Sequence, residues 1–335
     1  MDGTEVTLGG WVHEVRNIGK IVFILLRDHS GIVQVIGKEG IVPVEVIASM
    51  NLPKESVVMI KGKVRKSQES KLGFEIVPSE ITNLNPLEAG IPFEVTGKVP
   101  ADIDVRLDNR YIDLRRLETT SIFNIQSTIL NSFRNTMLKE RLTEIRTPAL
   151  VEAATEGGAD LFQVEYFEKK AFLAQSPQLY KQLAVIGGMD RVFMVVPVFR
   201  AEKHNTVFHL NEITQMDAEL GFADHNDAMM LLKKTIKNMI NDVSKKNAED
   251  LKRLNVTLGK PVVKEITYKK AVSLLNSNGQ KMEFGEDFNR EQEDMLCRLL
   301  GDLVLVKEYP RSVRAFYSMP NEKDKRLCII ALASY

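Results

Sequence analysis

The sequence predicts an α+β chain in two unlike parts. A small five-stranded β-barrel comes first, and a larger domain with an antiparallel sheet flanked by helices follows. Three observations carry this expectation. Residues 5–82 hold five short β-like runs separated by Gly, Asp and Ser turns. An irregular stretch from Asn83 to Asp108, with Pro86, Gly90, Pro92, Gly97 and Pro100, then breaks the pattern. Beyond it, strands and helices alternate irregularly, as in α+β domains rather than doubly wound ones.

In order, the β-like runs are 6–12, 21–26, 32–36, 57–64 and 74–77, with a short strand or helix expected over Val44–Met50. Five strands in about 80 residues suit an OB-type barrel. The domain boundaries read from this are 1–84 for the barrel, 85–108 for a linker and 109–335 for the second domain. Ile122, Ile125, Ile129, Leu130, Phe133 and Met137 fall on one face of a long helix. It is expected to end near Arg141, ahead of Pro148. Short strands are expected at 171–173, 192–196, 212–220 and 302–307. Ser176-Pro177 reads as a helix cap and first turn, and Asp227–Lys246 as an amphipathic helix.

Composition excludes several classes. Of 335 residues, 45 are Lys or Arg and 45 are Asp or Glu, so bulk charge does not hold this chain to a polyanion, although a local basic face is possible. With 44% hydrophobic residues, disorder is not its main state. Two cysteines, Cys297 and Cys328, supply neither a disulfide framework nor a Cys-rich zinc site. No run of 18 uncharged apolar residues predicts a membrane span, and Met1–Glu5 is not a secretory start. The expected address is cytoplasmic.

Residues with chemical potential concentrate between Thr155 and Glu219. Burying such polar groups without partners costs roughly 2–7 kcal/mol each, so they pair with one another or meet a polar ligand. Period two puts Arg200 and Glu202 on one strand face. They form either a cross-strand ion pair or a site in which Arg200 forks onto phosphate and Glu202 accepts from an amine. Gln178 and Lys181 are helical neighbours that suit a carboxylate or a solvated face. Glu156 before Gly157-Gly158 suits an ammonium or a plain turn. In the barrel, Arg16, Phe23, Arg27 and Gln34 lie on or near strands one to three, the face such barrels use to stack bases. A core role for Phe23 is equally open. No phosphate loop of the Gly-x4-Gly-Lys type is present.

The ordered series Gly10-Trp11-Val12-His13-Glu14-Val15-Arg16, Leu26–Gln34, Arg110–Arg116, Thr155-Glu156-Gly157-Gly158, Gln175–Gln182 and Phe199-Arg200-Ala201-Glu202 through Glu212 resembles class II aminoacyl-tRNA synthetases. Within them it is most similar to aspartyl-tRNA synthetases of the archaeal and eukaryotic type. The resemblance implies an OB domain that reads the anticodon and a catalytic domain that activates L-aspartate with ATP and Mg²⁺ and transfers it to tRNA(Asp). It also implies that Arg200 holds the ATP α-phosphate, Glu202 the adenine amine, and that His209 lies near the γ-phosphate. Glu156, Gln178, Lys181 and Asp217 match aspartate-binding positions, and Phe23 and Gln34 match anticodon-reading ones. Pro148 matches the proline at the homodimer interface. His13 stands where members specific for tRNA(Asp) carry a second Trp, which implies that tRNA(Asn) is charged too.

The sequence departs from the family at Phe208, where many members carry Arg, and at Ile213, where many carry an aromatic. The third motif and the Mg²⁺-binding carboxylate are expected after Arg314–Pro320 but are not found before Tyr335, and past Leu327 the resemblance fades. On that reading the catalytic domain is incomplete at its C-terminal end, and the 335-residue chain alone carries little or no aminoacylation activity. A non-catalytic tRNA-binding protein using only the barrel is the alternative. An ATP–pyrophosphate exchange assay with aspartate tests the expectation of inactivity, which robust turnover by this chain overturns.

Overall fold

A computed structural model describes the chain except residues 1, 86, 88–89, 154–160, 202–209, 302, 315–317, 329–330 and 335. Contacts divide the chain into two compact units, Met1–Phe123 and Asn124–Tyr335.

In the first unit, β1 (Glu5–Ile18), β2 (Ile21–Arg27), β3 (Ile32–Lys38), β4 (Val57–Lys66) and β5 (Phe74–Asn85) close into a barrel of order β1-β2-β3-β5-β4. The residues open to either reading before β4 form a short helix, α1 (Val44–Ala48). Alternation sends Val12, Val22, Ile24, Leu26, Val35, Val58, Ile60 and Ile76 inward, and Met50 fills the space beside them. Gly62 sits at a register shift in β4, where a Cβ would meet the Val77 carbonyl, so only glycine fits.

The stretch read as a linker is not a bare connector. It carries α2 (Ile103–Asp108), and Phe93 and Val95 bury themselves with Ile112 of α3 (Arg110–Asp113). Asp113, fully buried, accepts from Arg106 at 2.6 Å and also from Arg110.

An ion cluster anchors β1 and β2. The Arg27 guanidinium, 2% exposed, donates to Glu55 Oε2 at 2.8 Å, and Arg115 donates to the same oxygen at 3.1 Å. Both guanidiniums lie over the Trp11 ring, at 5.9 and 5.3 Å from its centroid. A buried cation without its carboxylate is costly, about 3–5 kcal/mol on loss of one partner.

His13 occupies the register shift between Val12 and Glu14, and its Nδ1 lies 2.9 Å from Arg27 Nη1. A guanidinium only donates, so Nδ1 accepts and the ring is neutral with its proton on Nε2.

The second unit begins in α4 (Leu117–Lys139), longer at its start than its apolar spacing predicts. There follow β6 (Thr143–Glu144), β7 (Leu150–Val151), β8 (Gln163–Tyr166), β9 (Lys169–Leu173), α5 (Gln178–Ala184), β10 (Arg191–Phe199), β11 (Glu212–Leu220) and α6 (His225–Lys246). Then come α7 (Ala248–Arg253), β12 (Val263–Thr267), α8 (Tyr268–Ser277), α9 (Arg290–Leu300), β13 (Leu303–Lys307) and β14 (Ala331–Ser334). They make three small sheets, β11-β10-β6, β7-β9-β8 and β12-β13-β14. Pairing is mostly antiparallel, but β6 joins β10 and β12 joins β13 in parallel. A local hydrophobicity pattern does not reveal such long-range parallel pairs. Past Leu327 the chain continues as β14 on β13, so this segment belongs to the domain's sheet. Helix α6 begins at its capping box, where Asp224 accepts from Asn226 and Asp227, two residues ahead of the expected start.

Burial, and next the neighbouring Arg27, lower the His13 pKa below its ordinary value. Below about pH 6.5 the unfolded chain takes up a proton that the folded barrel resists. The His13 contribution is therefore complete above that pH and is lost as pH falls from it toward the depressed folded value. Urea unfolding followed through Trp11, the single tryptophan, is expected to show stability falling between about pH 7 and pH 5.5. The fall is expected to be smaller in His13→Gln; an unchanged fall would assign the effect to other groups.

Candidate functional site

The site is built on one antiparallel pair. β10 and β11 run in continuous register from Arg191 opposite Leu220 to Phe199 opposite Glu212. On one side Phe193 packs with Met216, Ala218 and Leu220 against Phe133 and Met137 of α4. On the other side Val192, Met194, Val196 and Val198 of β10 form an apolar floor under Ala184 and Val185 at the end of α5. β10 therefore buries both faces. β11 buries one, and its second face presents Gln215, Asp217 and Glu219, opposite Val196, Met194 and Val192.

Helix α5 crosses this face and lowers Lys181 onto it. The Lys181 ammonium lies 2.6 Å from Asp217 Oδ1 and 3.3 Å from Glu219 Oε2, with side-chain exposures of 7%, 15% and 26%. A lysine so buried is retained only when paired. Gln215 Nε2 donates to Asp217 Oδ2 at 3.1 Å, so both carboxylate oxygens of Asp217 are held. Gln178 lies one turn before Lys181. The Ser176 hydroxyl accepts the Gln178 N–H at 3.1 Å, and Pro177 stands at the cap position, so the helix opens one residue later than expected. Arg200 continues the β10 alternation past Val198, half-buried, with its backbone N–H donating to Asn211 at 2.9 Å.

Among the sequence-derived candidates, the structure brings Lys181 and Asp217 into contact and sets Gln178 and Arg200 on elements bordering the same sheet face. Glu156, Glu202 and His209 lie outside the described residues. Glu219 closes the polar stretch read from the sequence but was given no role there, and Gln215 was not among the candidates. Counting by twos along β11 from Asp217 would have found both.

In the barrel, Arg16 pairs across the sheet with Phe23, and Leu25 with Gln34, all pointing away from the core. Phe23 is half-buried and outside the core cluster. Gln34 Nε2 donates to Glu75 at 3.0 Å, and Arg65 holds the other oxygen of Glu75 at 2.7 Å. The Gln34 carbonyl is thereby aimed away from Glu75. Arg27 corrects the sequence reading. It is buried on Glu55, so it is a structural cation and not a surface contact; Arg16, 61% exposed and paired with Glu14 at 2.9 Å, lies on the outer face. Pro148 is exposed between β6 and β7.

Among the described residues, no group of three or more His, Cys, Asp or Glu side chains is placed to hold a metal ion. Asp217 and Glu219 are engaged by Lys181. The described residues thus do not fit the Mg²⁺ that the resemblance implies. Nor is any described helix long and apolar enough to cross a membrane.

Residues 102–333 match the family model of class II tRNA synthetases (D, K and N), and residues 6–84 match that of the OB-fold nucleic acid binding domain. The chain belongs to the class II aminoacyl-tRNA synthetases. An aspartate–tRNA(Asp/Asn) ligase of Methanococcus aeolicus is 44% identical over 331 residues, 98% of this chain and 76% of that protein. One from Methanocaldococcus jannaschii is 43% identical with the same coverage. Among solved structures, asparaginyl-tRNA synthetase from Pyrococcus horikoshii complexed with asparaginyl-adenylate superposes with a TM-score of 0.91 at 29% identity, covering 99% of this chain and 77% of that one. Aspartyl-tRNA synthetase from Entamoeba histolytica gives 0.83 at 26% identity, covering 100% and 74%. The match to residue 333 runs past Leu327, where the resemblance was read to fade. This synthetase therefore has the fold class its strand and helix pattern predicts: an OB barrel and an α+β class II domain.

Proposed function

We propose that the site is built to bind L-aspartate and ATP, for activation of the amino acid and its transfer to tRNA(Asp) and tRNA(Asn) in the cytoplasm. The observation that carries this reading is the buried Lys181, clamped by Asp217 and Glu219 on the polar face of β11. The two carboxylates hold the ammonium in place, and the apolar floor of β10 lowers the local dielectric. Lys181 then donates to the side-chain carboxylate of aspartate, and Asp217 accepts from its α-ammonium, with Glu156 sharing that role. Gln178, one turn from Lys181, donates to the substrate.

In the first step the aspartate α-carboxylate attacks the ATP α-phosphorus. An O–P bond forms, the bond to the bridging oxygen breaks, and pyrophosphate leaves. Arg200 stabilises the charge developing on the α-phosphate, Glu202 accepts from the adenine amine, and His209 contacts the γ-phosphate. In the second step the terminal ribose hydroxyl of the tRNA attacks the acyl carbon, and AMP leaves. No protein nucleophile is needed, so catalysis consists of positioning and charge stabilisation.

In this reading residues 1–84 bind the anticodon, 85–108 connect, and 109–335 form the catalytic domain. Phe23 stacks a base, Gln34 offers its carbonyl to a base edge and Arg16 meets phosphate. The neutral His13, held in the β1 bulge, leaves anticodon reading relaxed, in keeping with the Asp/Asn naming of the relatives. A homodimer forms around Pro148, next to the β6 edge and the exposed Leu150.

Calorimetric titration with aspartyl-sulfamoyl-adenosine tests the amino-acid site. A hydrogen bond to a charged group is worth about 1.5–3 kcal/mol, so the aspartyl compound should bind roughly 10–100-fold more tightly than its asparaginyl counterpart, and Lys181→Leu should erase the difference. Equal affinities in the unmodified chain would refute the reading, and tRNA binding without either compound binding would favour a non-catalytic tRNA-binding protein.

For the barrel, Phe23→Ala should weaken binding of an anticodon stem-loop by about 1–3 kcal/mol, the value of one stacked base. Filter binding at fixed salt reads it, and an unchanged affinity removes Phe23 from the interface.

A further inference from the structure

We infer that Gln215 is a direct acceptor for the substrate α-ammonium and so helps to select an α-amino acid over its desamino analogue. This rests on the proposed aspartate-activating reading of the same site. Gln215 Nε2 donates to Asp217 Oδ2 at 3.1 Å. A carboxylate only accepts, so the amide nitrogen must face Asp217 and the amide oxygen must face away. That oxygen, Oε1, is buried and has no hydrogen-bond partner among the described residues. Burying an acceptor without a donor carries a desolvation cost, and such atoms call for an explanation in a native fold.

The alternation along β11 says where the missing donor belongs. Gln215 stands opposite Val196, one step along the polar face from Asp217, on the side away from Glu219 and toward Ile213. Lys181 reaches the other side, pairing with Asp217 and Glu219. An ammonium seated on Asp217 has three donors and no acceptor, so it can bond Asp217 and the Gln215 oxygen together. Either an amide or a carboxylate oxygen at this position accepts that proton, so a glutamate here keeps the acceptor.

Gln215 also props Asp217, so the test must separate direct acceptance from support. Titrations with aspartyl-sulfamoyl-adenosine and its succinyl counterpart, which lacks the α-amino group, are compared in the unmodified chain, Gln215→Met and Gln215→Glu. Gln215→Met removes both functions, whereas Gln215→Glu keeps an acceptor but cannot donate to Asp217. Direct acceptance predicts that Gln215→Met weakens the aspartyl compound about tenfold or more, leaves the succinyl compound within about twofold, and that Gln215→Glu restores most of the loss. Equal losses in Met and Glu variants would make Gln215 only a prop for Asp217 and overturn the inference. So would a loss shared by both compounds, or no loss at all. An unmodified chain that does not bind the aspartyl compound overturns the aspartate reading and this inference together. Binding by the unmodified chain with an unaffected Gln215→Met overturns the inference alone.

Discussion

The nine-residue pairing of β10 with β11 is the constraint on which the second unit depends. Its period of two separates an apolar face, packed on α4, from a face that carries Gln215, Asp217 and Glu219. A slip of one residue would bury these groups under α4 and turn Met216, Ala218 and Leu220 into the site. The hydrophobic pattern therefore sets the register, and the register sets the chemistry. Lys181 closes the arrangement from α5: it neutralises part of the negative charge that the strand brings together, and the carboxylates in turn keep its ammonium in place.

A similar economy operates in the barrel with the opposite outcome. Arg27 ends β2 and turns inward to Glu55, where Arg115 and Trp11 complete the cluster. Of the two arginines on β1 and β2, Arg16 lies on the outer face beside Phe23, and Arg27 does not. His13 is joined to the same cluster, so its proton is electrically coupled to the stability of the barrel.

Family membership and geometry bear on different questions. The match to class II tRNA synthetases covers 102–333, and the relatives carry aspartate–tRNA(Asp/Asn) ligase names. The chemistry of the amino-acid pocket rests on the side chains themselves. Under the proposed function, a buried lysine between two carboxylates suits an anionic side chain and an ammonium held side by side, the distinction that would separate aspartate from asparagine.

Much of the architecture was legible in the sequence because it is written in local periodicity. The five barrel strands, the long apolar stripe of α4, and β10, β11 and β13 are short-range patterns of hydrophobic spacing. The short strands β7 and β12 were not legible: they have few residues and gain stability from distant partners. The fate of individual charges was decided only in three dimensions. Arg16 and Arg27 look alike in sequence, yet one faces solvent and the other is sealed on Glu55, 28 residues away. Lys181 and Asp217 were candidates separately, but their contact, the addition of Glu219 and the buried oxygen of Gln215 depend on α5 crossing β11. Periodicity acts between neighbours along the chain, whereas the energy of a charge depends on what folding brings within a few ångströms of it.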